Sequence, residues 1–158
     1  MKARDIMASN PEVLVPEDSV SHAASVMKRM DIGALPVVED RTSMRLVGIV
    51  TDRDLVMRHV AEHHTEDCEV RHHMTEREDP SEFATARPED TVDYVMELMS
   101  NHQVRRVPVV ADDDERLVGV VALADIAREV GPEEPGEVVR VLEDISEPAK
   151  DLTPAPRD

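Results

Sequence analysis

The sequence is almost free of aromatic residues: it has no tryptophan, and Phe83 and Tyr94 are its only phenylalanine and tyrosine. A core built from this chain must therefore consist of valine, leucine, isoleucine, alanine and the nine methionines, whose flexible side chains fill irregular spaces. The single cysteine, Cys68, excludes an internal disulfide and is typical of a reducing compartment.

The chain also lacks a long apolar run and an excess of positive charge. No stretch of about 18 apolar residues is present, and the start of the chain, MKARDIM, lacks the apolar segment of a secretory signal. We therefore expect a cytoplasmic protein. With 35 acidic against 18 basic residues, the net charge is −17. This charge argues against binding to nucleic acids or anionic membranes, because their phosphates would be repelled.

What is present is an internal repeat. Four features occur twice in the same order, offset by 72 residues in the first two and by 71 in the last two. They are residues 16–20 and 88–92, residues 36–38 and 108–110, residues 46–50 and 117–121, and Asp54 and Asp125. We predict a first repeat over 1–64, a second over 65–130 that includes the connecting segment, and a tail over 131–158.

Each copy has the pattern of a strand, a helix, two hairpin strands and a closing helix. A Pro-Glu-Asp-Ser/Thr cap precedes apolar residues at helical spacing, and two apolar runs joined by a polar turn follow. We expect the first strands near 12–15 and 82–86 and the closing helices near Asp52 and Leu123. This pattern predicts an α/β fold. Because a repeat of about 60 residues buries little core by itself, we predict that the two β-α-β-β-α repeats pack through their sheets around a pseudo-twofold axis.

The tail over 131–158 is acidic and contains several prolines. Its apolar residues predict a short amphipathic helix over 137–145, which would dock on the core or on a partner chain. We expect the last ten or so residues to be disordered.

The duplicated motif resembles the tandem cystathionine-β-synthase (CBS) domains, in the stand-alone two-repeat form. The resemblance covers about residues 1–130 and rests on Leu/Val-Pro-Val-Val, a polar turn, Leu-Val-Gly-Ile/Val-Val and an Asp six residues after the Gly. It implies an α/β fold, a homodimer and no required cofactor. It also implies a ligand such as AMP, ADP or ATP, with S-adenosylmethionine and NAD as further candidates.

Residues 48–54 resemble the ribose-phosphate motif of that family. The Thr51 hydroxyl and the first helical N–H groups would face a phosphate, and Asp54 would accept hydrogen bonds from ribose hydroxyls. The same Thr-x-x-Asp spacing fits a capping box, which would only stabilise the helix. The second copy keeps Asp125 but has Ala122 in place of the hydroxyl residue. Retention of that Asp without a cap favours ligand binding, although we expect a weak or empty second site.

The phosphates of a nucleotide would need positive charge in an acidic protein. Arg105 and Arg106 precede the second apolar strand, and by the resemblance they would reach phosphates held by the first copy. The alternative is that both arginines pair with surface acids such as Asp112. By the same resemblance, Ile32 and Val104 would contact the adenine.

A second group of polar residues lies between the repeats. Imidazole and thiolate are ligands for zinc, but the spacing here lacks the tight pairs of structural zinc motifs. The residues are also those expected in a polar connecting segment, and we therefore predict no metal site. They are His63, His64, Cys68, His72 and His73.

Three functions remain to be compared. The first is a regulatory module in which a ligand bound between the repeats shifts their packing or the packing of a dimer, with an unidentified target protein as a further partner. The second is an enzyme, which we do not expect, because the sequence has no clear nucleophile and base pair and no glycine-rich phosphate loop with lysine. The third is a dimeric adaptor that binds no ligand and acts through its tail or surface.

Overall fold

The computed structural model describes residues 1–78, 83–130 and 132–147. It is a mixed α/β fold with two three-stranded sheets, one made in order of Ala8–Ser9, Leu117–Ala122 and Arg106–Val110 and the other of Ala34–Val38, Leu46–Thr51 and Thr75–Glu76. Among these residues, no helix is long and apolar enough to cross a membrane. The strands are β1 (Ala8–Ser9), β2 (Ala34–Val38), β3 (Leu46–Thr51), β4 (Thr75–Glu76), β5 (Arg106–Val110) and β6 (Leu117–Ala122).

The helices follow the predicted repeat. Two 11-residue helices, α2 and α4, occupy equivalent positions and place four buried apolar residues each on one face. Ser19 and Thr91 cap them, each with a side-chain oxygen that accepts from the third helical N–H. The helices are α1 (Ala3–Ile6), α2 (Val20–Met30), α3 (Asp52–Asp54, continued by a π-helix over Leu55–Val60), α4 (Val92–His102), α5 (Leu123–Glu129) and α6 (Pro135–Ser146), with a 3₁₀ turn at Val70–His72.

Both predicted hairpins are confirmed. Strand β2 pairs antiparallel with β3, and β5 pairs antiparallel with β6. The two pairings match in register: Pro36 lies opposite Ile49, and Pro108 lies opposite Val120. Each hairpin also has one register shift at the same place, just before the turn. The fold therefore repeats the duplication of the sequence.

The predicted first strands are wrong as strands. Leu14 and Ala86 each form one isolated parallel bridge, to Val37 and Val109, and Glu82 lies outside the described residues. The reason is a local turn after each bridge: the Val15 N–H is bound by Asp18 Oδ2 at 2.9 Å, and the next residue is a proline without an N–H.

The two repeats exchange short segments. Strand β1, near the start of the first repeat, pairs with β6 of the second, and β4, near the start of the second repeat, pairs with β3 of the first. Ala3 is buried in the core of the second repeat, and Val70 is buried in the core of the first. The boundary between the repeats at residue 64 stays a prediction. Each half of the fold contains a segment that lies on the other side of this boundary in the sequence.

The sheets meet in a third apolar cluster on the pseudo-twofold axis. The hairpins bond across this interface, with the Leu46 N–H donating to Glu115 O at 3.2 Å and the Leu117 N–H donating to Met44 O at 2.9 Å. The predicted packing of the repeats through their sheets is therefore confirmed. The buried members of the cluster are Val38, Leu46, Phe83, Val110 and Leu117.

The tail forms helix α6, which is longer than the predicted 137–145 and docks on this chain's own core. Val138 and Val141 are buried among the residues of the second repeat. Its C-terminal end is held by Gln103, whose Nε2 donates to Asp144 O at 3.1 Å. Residues 148–158, for which we predict disorder, lie outside the described residues.

Candidate functional site

A cleft of about 780 Å³ lies between the two repeats. Its walls come from both copies and from the end of α6. Five of the seven predicted site residues line it: Thr51, Asp54, Val104, Arg105 and Arg106.

Thr51 and Asp54 lie where β3 becomes helix α3. The Asp54 N–H donates to Thr51 Oγ1 at 3.0 Å, and the Thr51 N–H donates to Asp54 Oδ2 at 2.9 Å. This is a complete capping box, the alternative that the sequence left open. A carboxylate has several acceptor sites, so the Oδ1 atom of Asp54 retains capacity for a ligand. Capping and ligand binding are therefore compatible roles.

The helix after Asp54 changes from α to π geometry. π-Helices are rare and are often found at functional sites. Arg58 on this segment lies 3.9 Å from Asp54 Oδ1, and it donates to the main-chain oxygen of Met74 at 3.1 Å. The Asp54 side chain is only 15% exposed, so the cleft presents a largely buried carboxylate.

Arg105 and Arg106 enter the cleft from the second repeat. Arg106 begins β5, and the main-chain oxygen of Arg105 accepts from the Leu123 N–H at 2.9 Å, which fixes the backbone at this point. Neither side chain lies within ion-pair distance of a carboxylate in the described ranges. Asp112, the alternative partner, lies 3.9 Å from Arg87 instead. The arginine side chains are thus available to an anion in the cleft.

Ile32 and Asp125 lie outside this cleft. Ile32 packs against the core of the first repeat. Asp125 accepts from the Ala122 N–H at 3.1 Å and from Arg128 at 3.2 Å. Half of the capping box is therefore kept in the second copy, and this contact is a structural reason for the presence of Asp125. The presence of Asp125 is thus weaker support for ligand binding than the sequence indicated.

Several lining residues were missed by sequence reasoning. Ile145 and Glu147 reach the cleft because α6 docks beside it, and Thr75 reaches it from β4; no local signal marks these positions. Gly33 had a detectable signal, since it aligns with Arg105 in the repeat. A Cβ on Gly33 would lie 3.0 Å from Asp52 Oδ2, so the missing side chain leaves room at this wall.

The charges in the cleft are balanced in a chain that carries −17 overall. Three arginines face three carboxylates there, so this site is far less repulsive to an anion than the surrounding surface. The charged lining residues are Arg53, Arg105, Arg106, Asp52, Asp54 and Glu147.

A separate cluster of histidines and Cys68 lies at the far end of the π-helix. It contains His64, His73 and Cys68 from the predicted polar group, together with His59, which the sequence did not single out. His73 is buried, and this burial, with the neighbouring imidazoles, lowers its pKa. His63 and His72 are exposed and are not part of the cluster.

The chain is similar to known proteins both in sequence and in structure. Hypoxic response protein 1 of Mycobacterium tuberculosis is 36% identical over 126 residues, which are 80% of this chain and 82% of that protein. A crystal structure of Hypoxic Response Protein I with two coordinated zinc ions matches with a TM-score of 0.70 and 33% identity, covering 82% of this chain and 98% of the other.

Two further solved structures contain adenosyl ligands. The CBS domain pair of protein MJ0100, in complex with 5′-methylthioadenosine and S-adenosyl-L-methionine, matches with a TM-score of 0.71 and 31% identity over 84% of this chain and 98% of that chain. CBSX2 in complex with AMP matches with a TM-score of 0.70 and 25% identity over 82% and 95%. The family model for the CBS domain matches twice, over residues 3–60 and 70–131. The chain therefore belongs to the CBS domain family.

Proposed function

We propose that this protein is a regulatory module that binds an adenosine-containing nucleotide in the cleft between its repeats. One observation carries the proposal: the cleft joins Thr51 and Asp54 of the first repeat to Arg105 and Arg106 of the second. A hydroxyl at a helix start, a half-buried carboxylate and two arginines without carboxylate partners in the described ranges are the groups that a nucleotide needs. The adenosyl ligands of MJ0100 and CBSX2 support this ligand class.

Each group has a definite role in this proposal. Asp54 accepts hydrogen bonds from the ribose hydroxyls, and Thr51 with the N–H groups at the start of α3 binds phosphate. Arg105 and Arg106 neutralise the phosphate charge from the opposite wall. Val104 contacts the adenine, whereas Ile32, for which the same contact was predicted, packs against the core of the first repeat. The ligand is AMP, ADP or ATP, with S-adenosylmethionine and NAD as the other candidates.

The second repeat would provide a weaker site. Asp125 is in the position of Asp54, but Ala122 has no hydroxyl for a phosphate. Arg128 already binds Asp125, at 3.2 Å. We therefore infer that the second site binds the ligand more weakly than the first. It fills only at a higher ligand concentration, after the first site.

Calorimetric titration of the purified chain with AMP, ADP, ATP, NAD and S-adenosylmethionine tests this function. We expect one tight site for one ligand class, and loss of that site in the Arg105→Ala, Arg106→Ala double variant. Arg29→Ala is the matched control, because it removes an exposed arginine that lies outside the cleft and away from Asp125. Equal affinity in the double variant would contradict the site, and no binding of any nucleotide to the folded chain would favour an adaptor without a ligand.

Regulation requires that ligand binding changes a contact between proteins. We propose that this contact is the one between two copies of this chain in a homodimer. The π-helix exposes three apolar side chains, Val56, Met57 and Val60, which are 52–63% exposed. A cluster of exposed apolar residues on one helix is typical of an interaction surface. Because this helix continues directly from Asp54, a ligand at the cleft could shift the dimer contact.

The cleft does not favour an enzyme or a metal site. The described residues that line it include no histidine or cysteine, so the zinc ions of Hypoxic Response Protein I give no reason to place a metal there. Chromatography of the nucleotide after prolonged incubation with the protein should return it unchanged. Steady product formation that Asp54→Ala abolishes would contradict the regulatory function.

A further inference from the structure

The cluster beyond the π-helix contains four side chains with metal-ligand chemistry. His59 Nδ1 lies 3.3 Å from His73 Nε2, and Cys68 Sγ lies 3.7 Å from His64 Nδ1. The ligand atoms of His59, His64 and Cys68 all lie within 4.8 Å of one another. The ring centroids of the three histidines are 5.0–5.5 Å apart. The four groups therefore form one compact set.

The two short distances match the dimensions of a zinc site. Zinc binds histidine nitrogen at about 2.0–2.1 Å and cysteine sulfur at about 2.3 Å with tetrahedral angles. These lengths place two nitrogens about 3.3 Å apart and a nitrogen and a sulfur about 3.6 Å apart. The observed 3.3 Å and 3.7 Å are close to these values, and they involve two different pairs. They are the separations expected for two pairs of ligands around one zinc ion, with His73 joining the other three residues through His59.

The environment of His73 is an independent indication. This side chain is only 2% exposed, and its Nδ1 has no hydrogen-bond partner among the described residues. Buried polar atoms nearly always have partners, so a buried imidazole whose one hydrogen-bond partner among the described residues is His59 Nδ1 is poorly satisfied by protein groups alone. A metal bound at Nε2 would replace that single weak hydrogen bond with a strong bond and leave Nδ1 as it is.

The backbone around the cluster is held in position. His59 comes from the π-helix, His64 and Cys68 come from the connecting segment, and His73 follows the 3₁₀ turn. Arg58 donates to the main-chain oxygens of His73 and Met74, at 3.3 Å and 3.1 Å, and so ties the helix to the far end of that segment.

From this geometry we propose that His59, His64, Cys68 and His73 form a zinc site that fastens the segment connecting the two repeats. Three imidazoles and a thiolate are a donor set that suits Zn²⁺ and excludes the oxygen-seeking Mg²⁺ and Ca²⁺. The site is separate from the nucleotide cleft and does not depend on the function proposed for it.

The test uses the full chain, stripped with a chelator and then given Zn²⁺ alone. After desalting, elemental analysis should find one zinc per chain, and competition with a chromophoric chelator should give its affinity. We expect His64→Ala and Cys68→Ser to weaken binding by at least about tenfold, since even indirect partners of a metal site have effects of that size. Both residues lie in the connecting segment; His64 is exposed, and Cys68 is half-buried at the edge of the first repeat's core and is replaced by a residue of nearly the same size, so these variants should fold.

His72→Ala is the matched control, because this exposed histidine neighbours the cluster without belonging to it. It should bind zinc as tightly as the wild type. Loading with Co²⁺ adds a spectroscopic readout: a thiolate-to-cobalt absorption band should appear in the wild type and be absent in Cys68→Ser. The proposal is overturned if the stripped wild type takes up no zinc, or if His72→Ala lowers the affinity as much as His64→Ala does.

Discussion

Thr51 and Asp54 bind each other's main-chain N–H groups at 3.0 Å and 2.9 Å, at the point where the first repeat faces the cleft. The pair therefore holds the start of α3 in a fixed conformation before any ligand arrives. A preorganised site loses less entropy on binding, so a structural cap at this position also favours recognition. The second repeat keeps only the Asp125 half of the arrangement.

Asp54→Ala should abolish tight nucleotide binding at a modest loss of stability. Loss of a helix cap typically costs about 1 kcal/mol, and the chain should remain folded. Asp125→Ala removes the equivalent main-chain contact in the second repeat and leaves the first site intact, so it estimates the structural cost of losing such a contact. Denaturant unfolding and calorimetry of both variants separate the two effects. Unchanged nucleotide affinity in Asp54→Ala would remove Asp54 from the site.

Thr51→Ala makes the first repeat resemble the second. We expect a loss of stability of about 1 kcal/mol and weaker binding of ligands with phosphate groups. Thr51→Ser keeps a hydroxyl and should behave like the wild type in both measurements. If Thr51→Ala weakens S-adenosylmethionine and AMP equally, the hydroxyl acts through the cap and not through a phosphate.

Helix α6 should be released by Val141→Asp. Val141 is fully buried against the second repeat, and a carboxylate there would have no partner in the apolar cluster. Hydrogen exchange should become faster across α6 while the β5–β6 hairpin stays protected. Val139→Asp, at an exposed position of the same helix, is the control. Protection of α6 in Val141→Asp would show that its docking does not depend on this contact.

The exposed apolar residues of the π-helix should control dimerisation. Val60→Glu should weaken the dimer by at least about tenfold, because it places a charge in an apolar contact. Val139→Glu changes an equally apolar but separate exposed position on α6 and should leave the dimer intact. Light scattering across a range of protein concentrations measures both. A dimer unaffected by Val60→Glu would place the interface elsewhere.

Glu89 reports on the docking of the N-terminal segment. The hydrogen bond from Lys2, together with the charge of Arg4, lowers the pKa of the Glu89 carboxyl. Since the folded pKa is below the unfolded one, this contact stabilises the protein above about pH 4 and is lost as the pH falls through the folded pKa. An NMR titration should show the Glu89 midpoint rising in Lys2→Met. An unchanged midpoint would mean that the segment is not held there in solution.

Much of the fold could be predicted because its information is local. Each repeat has its own helix caps, its own apolar residues at helical spacing and its own pair of apolar hairpin strands. The duplication shows each of these patterns twice. The prediction fails for the first strands at Leu14 and Ala86. A turn in which the Val15 N–H donates to Asp18 ends the first pairing after one bridge, and a turn in which the Arg87 N–H donates to Asp90 ends the second.

The sequence by itself determined the duplicated unit, the two hairpins and the cap formed by Thr51 and Asp54, because each depends on neighbours within one or two turns of chain. The place of Arg105 and Arg106 at the cleft was an expectation from the family resemblance. Only the tertiary structure decided what comes together from far apart. The segments exchanged between repeats, the end of α6 at the cleft and His59 beside His73 all depend on how the sheets pack. Local periodicity contains no information on such packing, because it specifies which face of an element is buried but not which distant element covers it.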